Sequence, residues 1–179
     1  NEKYRNFFFL AQGRNITAFK VRPKGAAFEM YDEQKIPGCS SNTGLTIGPD
    51  GALYVTDWMN GPSERGRVWK IDSPEGKDDP ARKRTRKLLS EGMAGKPEHF
   101  LVSCLAEPDF RVRKAAQFEL VRRGETGRKA LLAVARQKEN QLARLHAIWG
   151  TGQVARGWPD GKGKDPDAVR PLLELLTDK

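Results

Sequence analysis

The sequence predicts an α+β, multidomain fold: the last antiparallel blades of a β-propeller, followed by an α-solenoid of helix pairs. Three observations predict it. Residues Gly44 to Asp57, GLTIGPDGALYVTD, read as a complete β-hairpin. Residues 72–86 are rich in Pro, Gly, Lys and Asp and show no apolar period. From about Pro97 the apolar residues recur at helical rather than strand spacing. The implied boundaries are 1–72 for the blades, 73–96 for a basic linker and 97–179 for the helical repeats.

The hairpin is the strongest local signal. Leu45 and Ile47 alternate with polar neighbours, Gly48-Pro49-Asp50-Gly51 supplies the turn, and Leu53, Tyr54 and Val55 begin the return strand. Pro49 presets φ, Asp50 can bond its own backbone, and Gly51 tolerates a positive φ. Apolar runs of strand length flank it on both sides. They are Phe7 to Leu10, Ile16 to Val21, Ala27 to Tyr31 and Gly66 to Ile71. Short, evenly spaced strands bounded by turn residues suggest a meander, sandwich or propeller. Too few are present to close a ring, so the chain reads as a piece of a longer protein.

In the C-terminal part, Phe100, Leu101, Cys104 and Leu105 form one stripe, and Val112, Ala116 and Leu120 a second, ended by Gly124. Leu131, Leu132 and Ala135 open a third helix, and Leu142, Leu145, Ala147, Ile148 and Trp149 mark a fourth. A further unit is expected from Pro166, with Val169, Leu172, Leu173 and Leu176. Arg113 and Ala116 align with Arg144 and Ala147, which suggests helix pairs repeating at the solenoid interval of about 30 to 45 residues. Such pairs bury their apolar faces only by stacking on neighbours, as in HEAT-like repeats. Asp109 is placed to cap the second helix, and Arg113 to reach back to a loop carbonyl or carboxylate.

The chain has 179 residues, a formal charge of +9, and 37% hydrophobic residues. No apolar run approaches the roughly 20 residues that span a bilayer. Much of the excess charge lies in Arg82 to Lys87, RKRTRK, without the interleaved aromatics that stack on single-stranded nucleic acid. A solvated basic linker is the expectation, and nucleic acid is not an expected partner. Cys39 and Cys104 lack a second cysteine at metal-ligand or haem-attachment spacing.

The stretches Tyr4 to Phe9, Phe19 to Ala26, Gly44 to Trp58, Phe110 to Arg113 with Ala116 to Phe118, and Ala143 to Gly150 together resemble one family. It comprises the exported membrane-bound dehydrogenase-like proteins of planctomycetes and relatives, also described as haem-binding CxxCH proteins. These have a glucose/sorbosone-dehydrogenase-like propeller, then HEAT-type repeats, then often a cytochrome c-like domain. The resemblance implies a periplasmic or exported parent, an oxidoreductase of sugars or related alcohols, using haem c or a quinone with calcium. This chain contains no Cys-x-x-Cys-His, and no catalytic residue carries over by motif match. No cofactor is therefore expected on this segment, which reads as a structural and protein-interaction module. Its partner would be another protein or the remainder of its own chain. The alternative is a non-catalytic scaffold that binds protein or polysaccharide.

Individual residues carry competing expectations. Asp57 and Trp58 end the hairpin strand and, with Arg67, could bind a carbonyl or sugar hydroxyl. The structural reading pairs Asp57 with a turn backbone and packs Trp58 between blades. His99 reads as exposed and His146 as a core or interface residue, with no second ligand spaced to join either on a metal. Trp149 reads as core, and Trp158, in a Gly-rich loop, as a core residue or an exposed partner anchor.

Overall fold

The computed structural model of the chain describes residues 6–37, 41–58, 65–159, 161 and 164–177. Cys39, Tyr4, Arg5 and part of the insertion between Trp158 and Lys164 lie outside the described residues. The chain divides into two compact units, Asn1–Arg86 and Lys87–Lys179.

The first unit holds β1 (Phe8–Gln12), β2 (Asn15–Lys24), β3 (Ala27–Ile36), β4 (Asn42–Ile47), β5 (Leu53–Asp57) and β6 (Arg67–Ile71). They form two three-stranded antiparallel sheets, ordered β1-β2-β3 and β4-β5-β6. Alternation along β5 places Leu53, Val55 and Asp57 on the buried side. Leu53 and Val55 pack with the fully buried Ile16 of β2 to make a small core, flanked by Phe9, Ala11, Ile36, Leu45 and Ile71. The backbone N–H of Asn42 donates to the carbonyl of Gly13 at 2.8 Å, tying the start of β4 to the β1–β2 turn.

The predicted hairpin forms with its turn as expected. The Gly51 N–H donates to the Gly48 carbonyl at 2.9 Å, and Gly51 takes φ +72°. The Asp50 carboxylate accepts from the Ala52 N–H at 3.2 Å. In the other sheet, the β2–β3 register shifts between Ala18 and Lys20, so that β3 bulges beside Asp32. Asp32 has φ +54°, a left-handed conformation unusual for a non-glycine residue. Lys20 and Gln34 bond its carboxylate and hold it there. β3 ends that sheet, so the bulge sits on an edge strand.

The propeller expectation is corrected. The two sheets have three strands each and do not close into a ring. Where a fourth strand would follow β6, the chain instead makes a 3-10 turn at Pro74–Gly76 and enters helix α1 (Pro80–Glu91). The basic run Arg82 to Lys87 lies wholly within α1, inside the stretch read as a linker. Pro80 opens α1, and the Asp79 carboxylate accepts the Ala81 N–H at 2.8 Å. Arg, Lys and Leu are strong helix formers, and no Gly or Pro intervenes before Gly92. Only Leu88 of α1 is buried, a face too narrow to show as an apolar period.

The second unit contains α2 (Glu98–Cys104), α3 (Phe110–Arg122), α4 (Glu125–Arg136), α5 (Gln141–Ala155) and a 3-10 segment, Pro166–Thr177. Asp109 caps α3 by accepting the Arg111 N–H at 2.8 Å, and Asn140 caps α5 by accepting the Ala143 N–H at 2.9 Å. Four residues after each cap an arginine returns to the preceding loop. Arg113 donates to the carbonyls of Glu107 and Pro108, both at 2.7 Å, and Arg144 to that of Ala135 at 2.8 Å. The two helix pairs are thus built alike.

They do not make a solenoid. Leu101, Leu105, Val112, Leu120, Leu131 and Ala147 belong to one continuous core shared by the two helix pairs. The helical unit expected from Pro166 is one 3-10 segment, with Pro171 inside it, packed on α4 and α5. Proline there removes a backbone donor and disfavours regular α-winding. Fewer than the roughly three stacked repeats that a stable array requires are present among the described residues.

Candidate functional site

Sequence reasoning pointed to Asp57, Trp58 and Arg67. Asp57 and Arg67 are cross-strand partners on β5 and β6. Asp57 is 3% exposed and accepts hydrogen bonds from the Ser41 N–H at 2.9 Å and the Trp69 indole N–H at 3.0 Å. Its carboxylate fastens the β4 entrance to β6, as the structural reading has it. Arg67 lies over the Trp69 ring at 5.8 Å, a cation–π contact. Trp58 is 72% exposed and does not pack between sheets; its backbone N–H donates to the Ser41 carbonyl. The three residues are neighbours, and the Asp57 carboxylate is spent on the framework of its own sheet.

Asp50 does more than close a turn. Its carboxylate accepts from the Tyr54 hydroxyl at 3.0 Å and from Lys70 Nζ at 2.6 Å, and the Lys70 bond is the main cause that lowers its pKa to about 2. Its carbonyl accepts from Arg82 Nε at 2.7 Å, while the Arg82 guanidinium grips Asp72. A Cβ on Gly51 would stand 2.6 Å from Arg82 Nε. The first arginine of the basic run is therefore a structural clamp.

His99 is exposed and His146 is 2% exposed. His146 Nδ1 lies 2.6 Å from the Gln117 amide oxygen, and the Gln117 amide nitrogen donates to Gln153 at 2.7 Å. Burial, and then the nearby Arg113, push the His146 pKa down. Among the described residues no group of three or more His, Cys, Asp or Glu is placed to hold a metal. No helix among them is long and apolar enough to cross a membrane.

The feature that sequence reasoning missed lies on α5. This helix is apolar on nearly every side, and its small residues face inward. Ala143, Ala147, Gly150 and Thr151 are buried, and a Cβ on Gly150 would meet the Leu131 methyls at 3.0 Å. The close approach of neighbouring elements uses up that side. Leu142, Leu145 and Trp149, at i, i+3 and i+7, are left on the surface at 45, 38 and 53% exposure. Phe110, at the start of α3, widens this face; its ring and that of Trp149 both contact His146, at 5.9 and 5.2 Å. Trp158, by contrast, packs on Phe118 at 4.6 Å. The Trp149 core expectation is thus corrected, while Trp158 takes the core alternative. Size alone could have signalled it: the Ala/Gly side of α5 is the side that permits tight packing.

The same helical row continues through Gly152 to Arg156. There it meets a groove of about 680 Å³, lined by Gly152, Ala155, Arg156, Lys164, Pro166 and Val169. Compared with family models, with curated proteins and with solved structures, the chain matches none.

Proposed function

We propose that this segment is a non-catalytic protein-interaction module that docks a partner on the outer face of α5. One observation supports the reading: the large apolar residues of α5 face outward as a stripe, while its small ones face the core. Scattered exposed leucines are ordinary on a protein surface, whereas a contiguous apolar stripe marks an interaction site. An α-helical stripe of this kind suits a helix or extended segment laid alongside it. The buried, hydrogen-bonded state of Asp57 and His146 offers no competing catalytic constellation among the described residues.

The test is selection of peptides from a displayed random library against the full chain, followed by titration calorimetry on wild type and on Leu145→Asp/Trp149→Asp. Convergent peptides with apolar residues at helical spacing are expected. The double variant should lose binding by about 30-fold or more, the scale of a 2 kcal/mol hot spot, with its thermal midpoint preserved. Failure to select any convergent peptide, or equal binding by the variant, overturns the reading.

A narrower proposal rests on the sequence motifs alone: the segment belongs to an exported oxidoreductase-like parent. Flanking coding sequence with a Cys-x-x-Cys-His motif would support it, and flanking sequence without one would sink it.

A further inference from the structure

We infer that the partner of the α5 face is an acidic segment, its apolar anchors resting on Leu145 and Trp149 and its carboxylates meeting Arg156 and Lys164. The inference rests on the interaction reading above and adds the chemistry of the partner. The placement and charge of the groove and its surroundings carry it.

The apolar stripe and the groove lie on one helical row, because Gly152 and Arg156 stand three and seven residues beyond Trp149. A partner laid along α5 therefore runs from the leucines into the groove. Among the described residues the charged ones lining the groove, Arg156 and Lys164, are cations, and both are exposed. Arg156 Nε donates to the Gly152 carbonyl at 3.3 Å, and neither cation pairs with a carboxylate among the described residues. α5 itself has no acidic residue between Gln141 and Ala155.

Three described acids near the groove are engaged elsewhere. Asp165 accepts the Asp167 N–H and interacts with Arg128, Asp167 pairs with Arg170, and Glu174 pairs with Arg136. At the other end, Lys114 lies over Phe110 at 5.6 Å and adds positive charge beside the aromatic patch. A chain of formal charge +9 thus presents an apolar stripe with cations at both ends. A partner of opposite charge is drawn to it, and one of like charge is repelled.

Fluorescence anisotropy with two synthetic helical peptides tests this on the full chain. Both share leucine anchors at i, i+3 and i+7; one ends in glutamates and the other in lysines. At low salt the glutamate peptide should bind about tenfold tighter or more. The preference should shrink as ionic strength approaches ~1 M, where charges are screened within about 3 Å. Arg156→Glu/Lys164→Glu should reverse the preference, and Leu145→Asp/Trp149→Asp should weaken both peptides.

Equal binding of the two peptides, or an unchanged preference in the charge-reversed variant, overturns the acidic partner while the α5 face stands. Binding of both peptides untouched by Leu145→Asp/Trp149→Asp overturns the face itself. Binding of neither peptide overturns the inference. So does a concentration-dependent dimer in sedimentation that the same double variant abolishes, because a second copy would then be the occupant.

Discussion

The Asp57 carboxylate accepts the indole N–H of Trp69 at 3.0 Å across neighbouring strands, two positions along β6 from its register partner Arg67. An acid that the sequence offers as a ligand for substrate is occupied in joining β4, β5 and β6. Replacing Asp57 with Ala strands two donors, the Ser41 N–H and the Trp69 indole. It should cost about 2 kcal/mol in urea unfolding. Trp58→Ala, at an exposed position, should stay within about 0.5 kcal/mol. Equal losses in the two variants would contradict this assignment.

Glycine substitutions should separate close packing from open surface. A Cβ on Gly127 would stand 1.8 Å from the Leu120 carbonyl oxygen, a backbone atom that cannot move without shifting α3. Gly127→Ala should therefore destabilise by about 3 kcal/mol or more. Gly152, inside α5, has nothing within 4 Å of such an atom. Gly152→Ala should stabilise by roughly 0.5–1 kcal/mol through helix propensity. Thermal melts of both variants check the opposite signs.

Acid should weaken the first unit through Asp50. Its folded pKa of about 2 lies below the unfolded carboxylate value of about 3.9, so the unfolded chain binds the proton more readily. The stabilisation is complete above the unfolded value and is lost as pH falls through the folded one. Lys70→Met should flatten that part of the stability–pH curve. An unchanged acid limb in the variant would show that the Lys70 pairing is not its cause.

His146 should act at higher pH with the same sign. Its pKa is lowered by burial and by Arg113, so protonation favours the unfolded chain as pH drops below the ordinary histidine value of 6.5. His146→Leu should remove this mild-acid loss, at the cost of the Gln117 hydrogen bond. Guanidinium titrations between neutral and mildly acidic pH measure both effects.

Asp109→Ala and Asn140→Ala should each cost about 1 kcal/mol, since each removes a helix cap. Arg113→Ala should cost more than either, because it leaves the carbonyls of Glu107 and Pro108 without this donor. Denaturation of the full chain followed by helical circular dichroism ranks the three.

Local chemistry was readable where one residue type forces one geometry. Gly51 and Asp50 announce their turn, and Asp109 and Arg113 announce a cap and a return to the loop; all four do so. What escaped depends on three-dimensional partners. α1 has too little buried surface to leave a period, and its Arg82 finds Asp72 and the Asp50 carbonyl through the fold. Trp149 is left on the surface because α5 turns its small residues inward, a choice set by how near Leu131 and Gln117 approach. Strand-like and helix-like periods were visible, but neither reports how many elements share a core. A three-stranded sheet and a blade look alike until the chain after Ile71 turns into a helix.

The kink that Asp32 places in β3 bears on how the protein ages in solution. Fibrils grow when long flat segments stack in register, each copy templating the next. Here the outermost run is split into Ala27–Tyr31 and Glu33–Ile36 by a residue no flat ribbon accommodates, and the second piece carries both Glu33 and Lys35. Neither half offers a template long enough to nucleate such growth, so this margin of the molecule is guarded against amyloid.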